Sequence, residues 1–301
     1  MNKYFTRENY GFLLGFIGVV IFSLTLPITR HLTQVDFTSL EIGFGRGFLA
    51  GLASVFILLF KGQFKPGNLP DKTDLRKLVI TAIGVVFAFP IFTAIAMKTI
   101  PAGNGGIVLA AVPLSTAIFA GLLSEENPTK KFWGIAVIGF ITVTVFRLLT
   151  NDSGITNIGF GDFALLVCVV IGGMGYAQGG ILGKNMSGWK VICWSLVISM
   201  PLVIPLTLLN FDVTHLMQVA NDSFVSILLF AFLCLGNNLV GFFFFYEGLG
   251  IGGVARVSQV DLFRPFFTFF FSVVFLGETM SFLAVFFLFL IIGIVYLSKK
   301  A

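Results

Sequence analysis

Charge is scarce in this chain. Of its 301 residues, 11% are Asp, Glu, Lys or Arg, while 57% are hydrophobic. A soluble globular domain carries about 25% charged residues, and so sparse a set cannot cover a soluble body of this size. The hydrophobic surplus has to face lipid. Cysteine and histidine are also few. Cys168, Cys193 and Cys234 lie inside apolar runs with no CxxC and no metal spacing. That excludes a disulfide framework and leaves them as small buried hydrophobes. His31 and His215 fall in polar gaps between runs. No HExxH, P-loop or GxSxG is present, so the corresponding peptidase, nucleotide-hydrolase and esterase chemistries have no starting point.

Lys and Arg outnumber Asp and Glu by 19 to 14, yet the pattern does not point to nucleic acid, whose binders gather basic side chains on one face or helix. Here they occupy short gaps between apolar runs, the arrangement that orients a membrane protein. About 20 apolar residues cross a hydrocarbon core of roughly 30 Å. That ruler predicts ten spans: 10–29, 37–60, 77–97, 102–123, 132–149, 160–183, 189–209, 223–246, 252–276 and 280–298. The first follows Lys3 and Arg7 but is too long for a signal h-region and precedes no Ala-x-Ala site, so it is expected to be retained. Pro101 suits the first turn of the fourth span, where its missing N–H costs nothing. With the N-terminus inside, the cytoplasmic segments hold Lys3, Arg7, Lys61, Lys65, Lys72, Arg76, Lys77, Lys130, Lys131, Lys184, Lys190, Lys299 and Lys300, and the other side holds Arg30, Lys98 and Arg147. This asymmetry places both termini in the cytoplasm.

An internal repeat follows. A displacement of 152 positions sets Phe92 on Phe244, Pro113 on Pro265, Thr116 on Thr268, Phe119 on Phe271 and Glu126 on Glu278. The two units, 10–149 and 158–299, hold five spans each. Five is odd, so the second unit enters the membrane from the opposite side. The expected fold is an all-α polytopic membrane protein with ten transmembrane helices as two inverted five-helix repeats.

Several of these residues carry a resemblance. Ile100-Pro101-Ala102-Gly103 before the fourth span, Pro113 and Glu126 with Pro265 and Glu278, Gly161-Asp162 opening the second unit, and Arg46 in the second span resemble the drug/metabolite transporter superfamily in its ten-helix, EamA-type branch. The likeness covers nearly the whole chain as two EamA-like copies. It implies a secondary transporter of a small organic metabolite, such as an amino acid or drug-like compound, working by alternating access. Export is the expected direction, with import or exchange of a metabolite or cofactor as the alternative. The implied partners are that substrate, the lipid bilayer, protons or a counter-substrate, and a second copy in a homodimer. No nucleic acid, bound cofactor, metal or catalytic residue is implied, and the implied location is a bacterial cytoplasmic membrane. The family has no universal substrate motif and so assigns no binding residue here. One departure is visible: the ninth span carries three charged residues where the matching fourth carries none. A non-transporting receptor or partner subunit is the rival reading, opposed by those intramembrane charges and by the lack of a long extramembrane segment. A channel is another, opposed by an inverted repeat around kinked helices.

Candidate site residues come from polar groups at depth. In the ninth span Ser258, Asp261, Arg264 and Thr268 recur at helical spacing on one face. Arg264 lies roughly 18 Å from the start of its helix, near the bilayer centre. Charges there are expensive and face a cavity or a partner. One reading makes Arg264 the ligand of an anionic group, with Asp261 tuning it or carrying a proton; the other makes the two a self-neutralising pair. Pro265 is expected to kink the span and free the carbonyl of Asp261, and Pro113 to do the same in the fourth span. Arg46 sits in the second span, with Glu41 off its face as a further candidate for charge balance or coupling. Gly43, Gly47 and Gly51 beside it form a small-residue packing stripe. Asn237 and Asn238, Tyr176 and Gln178, and Asn104 are neutral polar groups in the eighth, sixth and fourth spans; Asn237, Tyr176 and Asn104, with Ser258, join Arg264 as substrate-binding candidates, against a purely structural role. Gly159-Phe160-Gly161-Asp162 spells the GxGD of intramembrane aspartyl proteases, but that chemistry needs a second aspartate at depth. Asp162 instead suits a helix N-terminus.

Overall fold

The computed structural model describes residues 7–123, 129–150, 159–252, 254–279 and 281–299. Lys3, Glu126 and Lys300 lie outside them, and the side chains of Arg7, Arg147 and Arg256 are not described. Among the described residues there is no strand, and the helices fall into ten spans. These are α1 (Asn9–Val35), α2 (Ser39–Phe60), α3 (Lys72–Ala96), α4 (Ala102–Leu123), α5 (Lys130–Thr150), α6 (Phe160–Leu182), α7 (Gly188–Asn210), α8 (Phe224–Gly252), α9 (254–276) and α10 (Phe282–Lys299). Seven of them, α1–α4 and α6–α8, are long and apolar enough to cross a bilayer by length and composition alone. The protein is an all-α polytopic membrane protein built as two inverted five-helix repeats.

Local chemistry explains where the helices begin. Thr38 and Glu41 form a reciprocal capping box at the start of α2, satisfying N–H groups that have no partner within the helix. Asp71 caps α3 by accepting from Asp74 N, and Ser223 caps α8 by accepting from Ser226 N. These two caps are themselves 152 positions apart. The same interval separates the first residues of α3 and α8 (Lys72 and Phe224), of α5 and α10 (Lys130 and Phe282), and of the segments that carry the two prolines (Val112 and Arg264). At its far end α9 stops at Gly277, whose φ of 64° is a left-handed stop that glycine adopts without strain.

Two features depart from the expected boundaries. Helix α1 continues past residue 29 to Val35, with a turn at Leu24, and carries Arg30 inside it. Hydropathy ends the span at the first charge, but Arg30 is neutralised by Glu278 and does not end the helix. A short helix, Val213–Asp222, also occupies the gap between α7 and α8. Asp212 starts it by bonding the hydroxyl and amide of Thr214, which holds the Asp212 carboxyl below the usual carboxylate range.

The halves interlock. Helix α1 packs on α8 and α9, and correspondingly α6 packs on α3 and α4; α2 meets α7, α4 meets α9 and α5 meets α10. Exchanging each helix for its repeat mate leaves this pattern unchanged. Close backbone approach makes the α1–α8 contact: a Cβ on Gly248 would lie 2.7 Å from the Gly11 oxygen and the Gly15 nitrogen. On α2, Gly43 and Gly51 leave no room for a Cβ beside Ile91 and the Met200 side chain, and Gly47 sits against the side chains of Val86 and Val203.

Candidate functional site

Four of the helices leave ordinary α geometry partway along their length. Helix α3 contains a π segment at Ile83–Ala88, α6 one at Cys168–Gly172 and α8 one at Phe232–Gly241, while α9 passes through a 3-10 turn at Ser258–Phe263. Each changes the helical register and turns side chains that regular α-helices would aim elsewhere, a device concentrated at functional sites.

The 3-10 turn shapes the charged pair. Three residues per turn place Ser258, Asp261 and Arg264 in one column, and all three are buried. Arg264 Nη2 lies 2.6 Å from Asp261 Oδ1, off the line of an N–H bond, so the contact is an ion pair rather than an aligned hydrogen bond. The same nitrogen donates to the Tyr176 hydroxyl at 3.3 Å. The guanidinium lies over the rings of Phe22 (5.0 Å) and Tyr176 (5.5 Å), whose π faces attract it. Tyr176 packs in turn against Phe89, Phe242 and Phe245. Thr268, the next residue of the stripe, donates to the Ser23 carbonyl in α1 at 3.1 Å.

The proline expectation needs correction here. Pro265 does not leave the Asp261 carbonyl free, because a 3-10 turn bonds i to i+3 and that carbonyl accepts the Arg264 N–H. Nor do the prolines interrupt a running α-helix. Each is the second residue of a fresh α segment, Arg264–Leu276 in α9 and Val112–Leu123 in α4, where its missing N–H is harmless.

Arg46 is the second buried cation, 1% exposed. Its Nη2 donates to Asn237 Oδ1 at 2.7 Å, and Asn237 Nδ2 donates onward to Thr25 Oγ1 (2.7 Å) and the Ile21 carbonyl (3.2 Å). Asn238 lies beside it, its Nδ2 3.5 Å from the Arg46 carbonyl. Nε and Nη1 of both arginines, Asn238 Oδ1 and Thr29 Oγ1 are buried without a protein partner. Desolvating an unpaired charge costs several kcal/mol, so this cluster is held at the expense of stability.

The structure therefore brings together Arg264, Asp261, Ser258, Tyr176, Arg46 and Asn237. It leaves two candidates apart. Glu41 is occupied at the start of α2 with the Thr38 N–H (2.7 Å) and with His215 (3.0 Å) of the short helix. Asn104 stands in the first turn of α4 and shares none of the contacts above. Asp162 lies in the first turn of α6, its carboxylate accepting the Gly159 N–H at 3.2 Å. Sequence reasoning did not select Phe22 and Thr25. Thr25, a hydroxyl residue beside Ser23 and Thr29 in the apolar run of α1, was the available signal. Nor did it foresee a second polar network. Glu278 at the end of α9 accepts the Ala102 and Gly103 N–H groups at the start of α4, both at 2.9 Å, and pairs with Arg30 Nε at 2.9 Å. Arg30 Nη1 also donates to the Met97 and Ile100 carbonyls.

Comparison with known proteins follows the same two-part division. A family model described as "EamA-like transporter family" matches twice, over residues 9–148 and 159–299. The uncharacterized transporter YdeK of Bacillus subtilis (strain 168) is 36% identical over 268 residues, 89% of this chain and 88% of that protein. The uncharacterized transporter YyaM of the same organism is 24% identical over 218 residues, 70% of this chain and 68% of its own. A solved structure described only as "Crystal structure of protein" matches with a TM-score of 0.64 at 18% identity, covering 96% of this chain and 95% of that one; that likeness concerns the fold alone.

Proposed function

The chain belongs to the EamA-like transporter family, and from that premise we propose that this membrane transporter is a secondary exporter of a small organic metabolite, working by alternating access. The observation that carries the reading is the buried cluster of Arg46, Asn237, Tyr176, Asp261 and Arg264, which joins helices of both inverted halves. Charge at that depth is costly in a membrane protein and marks solute or ion pathways, and a site between inverted repeats can be exposed to either side in turn. Without a nucleotide-binding motif in the sequence, movement of the solute draws on protons or on a counter-substrate. The two repeats are assigned to 10–149 and 158–299, in a bacterial cytoplasmic membrane with both termini inside.

Counterflow in proteoliposomes tests the mechanism. Vesicles preloaded with a metabolite mixture are expected to accumulate a labelled component of that mixture faster than unloaded ones. A channel gives flux without this trans-stimulation, and a receptor or partner subunit gives no flux. Orientation has its own test. Cysteines introduced at Asn68 and Lys131 are expected to react with an impermeant maleimide only from the cytoplasmic side, and one at Asn221 only from outside. All three native cysteines are buried, so the background is low. Any one site labelling from the wrong face breaks the helix order.

A further inference from the structure

We propose that the central cluster binds the carboxylate of a small organic monoanion between Arg46 and Arg264. This assignment of substrate class rests on the transport reading only for what binding accomplishes, since the binding itself is read from the two arginines.

A guanidinium has five N–H bonds and accepts none. In both arginines only Nη2 is engaged: with Asn237 in Arg46, and with Asp261 and Tyr176 in Arg264. Nε and Nη1 of both find no acceptor in the protein, although Arg46 is 1% and Arg264 4% exposed. Buried donors in proteins are nearly always paired, and here two neighbouring cations break the rule in the same way. They abut one turn of α1. Asn237 ties Arg46 to Ile21 and Thr25, and the Phe22 ring between those residues lies under the Arg264 guanidinium.

Charge sets the valence. Among the described residues the two guanidinium groups have a single carboxylate partner between them, Asp261 on Arg264, which leaves the Arg46 charge in excess. Among the described residues no carboxylate pairs with Arg46; Glu41 is held by Thr38 and His215, and Glu278 by Arg30 and α4. A monoanion neutralises the set, a dianion overshoots it, and a neutral or cationic solute leaves the arginines uncompensated. A carboxylate accepts from guanidinium N–H groups in the strong, charge-assisted geometry. Phe22, Phe89, Tyr176 and Phe242 around it offer an apolar wall for an organic body, which inorganic phosphate would not use.

Thermal unfolding of the purified full-length protein tests this with matched probes: acetate, lactate, benzoate and phenylacetate, each against its amide, with phthalate as a dianion and inorganic phosphate as the non-organic oxyanion. At least one monocarboxylate is expected to raise Tm by about 2 °C or more near saturation, its amide not to, and the shift to vanish in Arg46→Gln and in the paired variant Asp261→Asn with Arg264→Gln. The paired variant is used because removing Arg264 alone strands Asp261. A second readout needs no ligand. Gln at position 46 keeps a donor for Asn237 but removes an uncompensated buried charge, so the unliganded Arg46→Gln protein is expected to melt above the wild type.

Equal shifts from acid and amide, no shift from any monocarboxylate, a response only to phosphate or phthalate, or a lower melting point for Arg46→Gln would each overturn the assignment. Counterflow separates the two proposals. Exchange of neutral or cationic solutes alone leaves transport standing and removes the anion site. Charge-selective carboxylate binding without exchange of any solute keeps the site and removes the transport mechanism.

Discussion

A buried cation is only as secure as its least replaceable partner, and Asp261 and Arg264 are unequal in this respect. Among the described residues Asp261 has Arg264 as its one ion-pair partner, whereas Arg264 also has the Tyr176 hydroxyl and the faces of Phe22 and Tyr176. Arg264→Ala therefore strands a carboxylate and is expected to cost about 3–5 kcal/mol. Asp261→Asn leaves the arginine partly satisfied and is expected to cost less. The double variant Asp261→Asn with Arg264→Gln is expected to be milder than Arg264→Ala alone, because it removes both charges together. Melting curves of Asp261→Asn, Arg264→Gln and their double variant close a cycle that gives the coupling directly; additive losses would show that the two side chains do not stabilise one another. The spacing of Ser258, Asp261 and Arg264 made this pair legible in the sequence, since i,i+3 neighbours share a face in either helix type. The partner of Arg46 was not legible. Asn237 lies 191 positions away, and only the packing of α2 against α8 brings the two together.

At the scale of helices, the spans themselves were readable because lipid demands a long apolar run from each of them. Hydropathy does not see hydrogen-bond register, so the π segments of α3, α6 and α8 and the 3-10 turn of α9 left no trace in it. For the same reason the capped helix Val213–Asp222 read as a polar gap. Glu278 was recognisable as the acidic residue ending α9, but its reach across to α4 was not. There its carboxylate meets two backbone N–H groups at a helix N-terminus, where negative charge is favoured, and it also neutralises Arg30. Glu278→Gln keeps the length and one acceptor but loses the charge for both partners. The expected result is a looser junction between the start of α4 and the end of α9. A cysteine at the partly exposed Asn104 should then react several-fold faster with an impermeant maleimide added outside, and Arg30→Gln should do the same. An unchanged rate in both variants would reduce the network to an ordinary helix cap.

For the whole molecule, the question is whether the symmetry of the contacts is also a symmetry of motion. Each half supplies the same elements to the interface: α1 lies on α8 and α9 as α6 lies on α3 and α4, and α4 faces α9. The proline segments begin at corresponding positions, Val112 and Arg264, so each half contains one break just before its proline. The breaks are not identical. In α4 the helix turns at Ala110 and Ala111, while in α9 it passes through the 3-10 turn that carries Asp261. If alternation exchanges the conformations of the two halves, the present difference between these breaks is one member of a pair, and the opposite state has them reversed. Two such states interconvert usefully only when they differ by a few kcal/mol. An added backbone N–H at either break is enough to bias them, because it lets the helix run on through the turn. Pro113→Ala favours a continuous α4 and Pro265→Ala a continuous α9. Because the two helices are related by inversion across the membrane, the biases are expected to have opposite signs. Cysteines along the central faces of α1 and α6, probed from each side of the membrane, should become more accessible from the cytoplasm in one variant and from outside in the other. Shifts of the same sign in both, with melting points near that of the wild type, would mean that the 152-residue correspondence governs how the halves are built but not how they move.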